Sequence, residues 1–168
     1  MPKLPLPVLQ QMPVFGALSE AALGFLLQLA REIEVPAGGY FFREGDAASS
    51  MFVLESGRVS VLRRLGEREA VLNTLAAGDC FGEMALLDLQ PRSAAVRADA
   101  DCGALELTAA DLLRLFEHDA ESFALVQMNI GREVCRRLRQ TDEALFRAWQ
   151  GERPADWAAF AATPFRSG

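Results

Sequence analysis

Apolar positions along the chain change period twice. Near the start, Leu23, Leu26, Leu27 and Ala30 fall on one face at helical spacing, and Ser19 stands where an N-cap belongs. The spacing predicts a helix from Glu20 to about Arg31. From about Ile33 to Leu107 the pattern breaks into short apolar runs separated by turn residues. These turns are Val35-Pro36-Ala37-Gly38-Gly39, Glu44-Gly45-Asp46, Glu55-Ser56-Gly57-Arg58, Leu65-Gly66-Glu67 and Ala77-Gly78-Asp79. Seven of the 13 glycines lie between Gly38 and Gly82, where tight turns need them. Met51–Leu54 and Val59–Leu62 around Ser56-Gly57 predict a hairpin. Strands at this spacing predict an antiparallel sandwich or jelly roll. The third zone is helical again. Thr108-Ala109-Ala110-Asp111 has the form of a capping box and opens a helix to about Phe116; a longer helix follows from about Ala120 to Trp149.

The expected architecture is therefore α+β: a β-roll flanked by an N-terminal helix and a long C-terminal helix. Residues 1–13, with four of the eight prolines, form a proline-rich lead segment. Residues 14–149 make the domain, and residues 150–168 a flexible tail. At 168 residues and 51 % hydrophobic, the chain suits one domain with a single good core.

Charge narrows the function. The net charge is −6, which disfavours general attraction to phosphate backbones. The early prolines break any signal-peptide helix, and no apolar run near the front is long enough to span a bilayer. Cys80, Cys102 and Cys135 are odd in number and lack CxxC spacing, so they read as free thiols in a reducing cytoplasm. One histidine, His118, is too few for a jelly-roll metalloenzyme, and an enzyme is not expected.

Candidate chemistry concentrates in Gly78–Ala98. Gly82 permits close backbone approach and precedes a helix-compatible stretch, Glu83 to Leu87, whose N-terminus suits an anion. Nine residues on, Arg92 follows the stiff Pro91 and can aim a guanidinium fork at a phosphate. Glu83 would repel a bare anion. A ligand with both a phosphate and a hydroxyl resolves the conflict, because a carboxylate accepts strongly from O–H. The bland alternative is a surface ion pair between Glu83 and Arg92, worth about 0–1 kcal/mol.

Phe81-Gly82-Glu83-Met84-Ala85-Leu86 and Pro91-Arg92-Ser93-Ala94 resemble the phosphate-binding cassette of the cyclic nucleotide-binding domain family. Glu44-Gly45-Asp46, the Gly57 turn and the closing helix extend the resemblance over roughly residues 8 to 147. The resemblance implies a ligand, cAMP or less readily cGMP, and no other cofactor. It implies that Glu83 accepts from the ribose 2′-hydroxyl and Arg92 pairs with the cyclic phosphate. Backbone amides near Gly82, Ser93 and Ala94 would complete the cage, with the Ser93 hydroxyl reaching the phosphate or base and Met84 among the ligand-binding residues. It also implies a last helix acting as lid and dimer seam, from which Arg136 or Arg137 would reach the base.

That helix supports the seam independently. Met128, Cys135, Asp142 and Trp149 recur every seven residues, with Gly131, Leu138 and Leu145 on the interleaved register. The competing expectation is that this stripe packs on its own β-roll. Only 18 residues follow Gln150, too few for a DNA-reading domain, so no DNA or membrane partner is expected. Output would pass through a homodimer on the 128–149 helix or through an unknown effector. The alternative function is a dimerisation or interaction module whose pocket no longer meets a nucleotide.

Overall fold

The structure is a computed structural model that describes residues 4–66 and 68–150. Among the described residues, eight strands build two antiparallel four-stranded sheets. β1 (Arg31–Val35), β3 (Ser50–Ser56), β6 (Cys80–Phe81) and β8 (Cys102–Thr108) form the first, in the order β1-β8-β3-β6. β2 (Tyr40–Phe42), β4 (Arg58–Leu65), β5 (Arg68–Ala76) and β7 (Ala95–Ala98) form the second, in the order β2-β7-β4-β5.

Strand periodicity makes two cores out of one sheet. On β3, Phe52 and Leu54 point between the sheets, where they meet Val59, Leu75, Phe81 and Val96. Met51 and Val53 point the other way, with Leu105 and Leu107 of β8, into a second core roofed by helices. Those helices are α1 (Leu6–Leu9), α2 (Glu20–Leu29), α4 (Ala109–His118) and the 30-residue α5 (Ala120–Trp149). A single turn, α3 (Met84–Asp88), lies in the cassette.

The caps expected at Ser19 and Thr108 are in place. Ser19 Oγ accepts from Ala22 N at 3.1 Å. Thr108 and Asp111 complete the reciprocal capping box, and Asp119 starts α5 by accepting from the Glu121 and Ser122 amides. Within the lead segment, the described residues 4–13 pack into the fold: Leu9 and Met12 are buried in the helix-roofed core, and Pro7 sits in the first turn of α1, where a missing N–H costs nothing. The tail from residue 151 lies outside the described residues.

Two expectations need correction. α2 ends at Leu29 because Arg31 is drawn into β1, directly opposite Glu106. Met51–Leu54 and Val59–Leu62 form no hairpin, since β3 and β4 belong to different sheets. Gly57 turns the chain from one sheet to the other at φ +90°, and a Cβ there would lie 2.6 Å from both Asp101 O and Cys102 Sγ. The paired hairpin is the next one, β4–β5, closing at Leu65↔Arg68.

On α5 the buried stripe is Ser122, Val126, Asn129, Ile130 and Glu133. The heptad stripe lies on another face: Met128, Leu138, Leu145 and Trp149 are exposed, Leu138 at 58 % and Trp149 at 77 %. It therefore does not pack on its own β-roll, which removes the intramolecular alternative.

Candidate ligand-binding site

β6 delivers the chain to the site, pinned to β3 through Phe52↔Phe81 and Val53↔Cys80. Gly82 then turns at φ +78°. A Cβ at this position would come within 2.5 Å of Arg92 Nη1, so glycine is needed twice over, for conformation and for room.

Glu83 follows at only 3 % exposure. Its carboxylate does not cap the one-turn α3; Oε1 instead accepts from Arg137 Nη1 of α5 at 2.9 Å. Arg137 Nη2 donates to the carbonyl of Cys80. One guanidinium thus bridges the start of the cassette to the middle of the long helix.

Arg92 is held by backbone and side chain together. Its amide donates to Asp46 O at 2.9 Å, and Gly45 N donates to Arg92 O at 2.8 Å. The Glu44-Gly45-Asp46 turn is therefore the clamp for this residue. Arg92 is 6 % exposed; its guanidinium lies 4.0 Å over the Phe42 ring and donates through Nη1 to Gly82 O at 2.9 Å. Burial pulls its pKa down, against the opposing fields of Glu106, Asp46 and Glu83. Nε is buried without a hydrogen-bond partner.

Gly82, Glu83, Met84, Arg92, Ser93 and Ala94 all line one pocket, together with Arg137. Phe42, Val61, Phe81, Ala85 and Val96 supply the remaining, apolar wall. Arg136 is not part of the lining; it bonds Glu133 and lies 3.9 Å from Asp79. Glu83 and Arg92 are not a surface ion pair either, since both are buried and Glu83 pairs with Arg137. Ser93 is exposed, its hydroxyl 3.9 Å from Met84 Sδ. Sequence reasoning missed Phe42, Val61 and Val96, which alternation alone assigns to an undifferentiated core.

Cys80 lies beside the pocket as an inert group. Burial first, then the Glu83 charge, pushes its thiol from 9.0 up to about 12. His118 stacks on Phe25 with ring centroids 4.0 Å apart, far from this chemistry in the chain. Among the described residues no cluster of three or more His, Cys, Asp or Glu could hold a metal, and no helix is long and apolar enough to cross a membrane.

A buried guanidinium, a buried carboxylate and an apolar wall thus meet in one pocket lined from both sheets and from α5. The chain belongs to the cyclic nucleotide-binding domain family, whose profile matches residues 32–119. It is 34 % identical over 131 residues to the cyclic AMP receptor protein of Thermus thermophilus, covering 77 % of this chain and 59 % of that protein. It is 37 % identical over 90 residues to a cAMP-dependent protein kinase regulatory subunit of Emericella nidulans, covering 54 % of this chain and 21 % of the subunit. The crystal structure of the T. thermophilus catabolite activator protein superposes with a TM-score of 0.70 over 79 % of this chain and 61 % of that one. A cyclic nucleotide-binding domain from Methylobacillus flagellatus gives 0.75 over 83 % and 80 %; at 22 % identity it shows the shared fold alone. The chain spans less than two thirds of these curated relatives.

Proposed function

We propose that this domain binds a 3′,5′-cyclic purine nucleotide, cAMP ahead of cGMP, and passes the signal through a homodimer or a partner protein. The supporting observation is that Glu83 and Arg92, the charged residues of the two matched motifs, are both buried in the wall of one pocket. A buried guanidinium with an unpartnered Nε suits a singly charged cyclic phosphate. Glu83 suits the ribose 2′-hydroxyl, which can share the carboxylate with Arg137. Phe42, Val61 and Val96 suit the apolar faces of sugar and base. The names of the relatives favour cAMP: the receptor of T. thermophilus and the kinase regulatory subunit both carry it.

The output side of the proposal rests on α5. Arg137 ties that helix to Glu83, and the same helix leaves Met128, Leu138, Leu145 and Trp149 exposed at heptad spacing. A second copy would bury this stripe. Titration with cAMP, cGMP and 5′-AMP tests the ligand reading. Cyclic nucleotides should bind in the micromolar range, about −8 kcal/mol, and 5′-AMP far more weakly. Equal affinity for 5′-AMP would make this a generic phosphate pocket.

A further inference from the structure

A guanidinium at the end of a flexible side chain reads a phosphate well only if its own position is fixed beforehand. The pocket supplies part of that constraint to Arg92, through Gly82 O and the Phe42 ring. The rest comes from outside it. Arg92 Nη2 donates to Ser50 Oγ at 3.3 Å, and Ser50 is buried at the head of β3. The Ser50 hydroxyl in turn donates to Glu106 Oε1 at 2.8 Å. With its single proton committed to Glu106, Ser50 can only accept from Arg92, so the direction of the chain is set.

Glu106 is fixed from its other side. On β8 it stands directly opposite Phe52 of β3 and Arg31 of β1. Glu106 Oε2 accepts from Arg31 Nε at 3.0 Å and lies 2.8 Å from Arg31 Nη2. The four side chains form a polar strip across the first sheet, from the exposed Arg31 to the buried Arg92. Neither Ser50 nor Glu106 lines the pocket.

We propose that Ser50 and Glu106 are positioning residues for ligand binding, holding the Arg92 guanidinium in the orientation that meets a cyclic phosphate. This rests on the cyclic-nucleotide reading above. Glu106 also contributes the foremost of the fields that oppose the lowering of the Arg92 pKa by burial, ahead of Asp46 and Glu83. The anion site is thereby wired to a carboxylate on a neighbouring strand.

The test combines calorimetric titration of cAMP into the full chain with the ¹⁵N NMR signal of the Arg92 Nε–H, assigned by its loss in Arg92→Lys. Ser50→Ala and Glu106→Gln should each weaken cAMP roughly tenfold, the scale of one hydrogen bond to a charged group. In an Arg92→Lys background the same two changes should cost less than about twofold further, because the group they position is gone. The Arg92 Nε–H signal, sharp in the wild type, should broaden in Ser50→Ala. Losses that repeat undiminished in the Arg92→Lys background would mean that Ser50 and Glu106 only support the fold, and would overturn the proposal. If the wild type binds neither cAMP nor cGMP, the ligand reading falls by itself. The NMR signal then decides the strip: an unchanged Arg92 resonance in Ser50→Ala overturns it, and a broadened one upholds it.

Discussion

Arg92 and Glu83 carry opposite charges into the same pocket wall, and their substitutions should separate by ligand. Arg92→Ala removes the buried cation from the phosphate end and should weaken cAMP by about 2–5 kcal/mol, read by calorimetry. Glu83→Ala removes a hydroxyl acceptor but also a carboxylate that repels phosphate, so its cost should be smaller, about 1–3 kcal/mol. That loss should fall on the ribose: 2′-deoxy-cAMP should bind wild type weakly and lose little more in Glu83→Ala. A deoxy ligand that loses as much as the parent would remove Glu83 from the ribose. The cysteines offer a check that needs no ligand. Cys80 is buried with its thiol raised to about 12, Cys102 is buried and also raised, and Cys135 is exposed. At pH 8 a disulfide reagent should therefore titrate Cys135 alone in the native chain and all three thiols after unfolding. The Cys80 shift also has a sign in stability. Between pH 9.0 and about 12 the unfolded chain releases a proton that the folded chain retains, so stability should fall as pH rises through that window.

At the scale of elements, the sequence made the caps and periodicities legible and left the pairings hidden. Ser19, Thr108 and the long run to Trp149 could be placed because capping and helical spacing are local. The Ser56-Gly57 turn misled for the same reason: a glycine that crosses between sheets looks like one that closes a hairpin, and only Asp101 and Cys102, far along the chain, distinguish them. The cassette was legible as a contiguous motif. Arg137 could not be separated from Arg136, because one residue of helix is a 100° turn and the contacts that choose between them, Glu83 and Cys80 O, lie more than 50 residues away. Ser50 and Glu106 gave no signal at all, since a serine and a glutamate in strands are ordinary until a register brings them together. The proposed dimer is tested on α5 itself. Leu138→Glu or Leu145→Glu places a charge in the exposed heptad stripe and should convert dimers to monomers in sedimentation velocity. A wild type that sediments as a monomer at tens of micromolar would contradict the dimer. Arg137→Ala should loosen the joint between α5 and the cassette, seen as faster amide exchange at Cys80 to Met84.

For the molecule as a whole, ligand and fold are linked. The pocket draws its walls from both sheets and from α5: Phe42 and Val61 from one sheet, Phe81 from the other, and Arg137 from the helix. A ligand that binds only this assembled state should stabilise the whole chain. At a hundredfold excess over Kd the gain should be about 2.7 kcal/mol, visible as a rise in melting temperature. Isothermal titration of the wild-type chain with cAMP, cGMP and 5′-AMP asks whether the buried Glu83–Arg92 pocket receives a cyclic nucleotide. Saturable heat with micromolar Kd is expected for cAMP, and affinity reduced at least tenfold, about 1.4 kcal/mol, for 5′-AMP. No heat and no thermal shift with either cyclic nucleotide at millimolar concentration would contradict the cyclic-nucleotide reading.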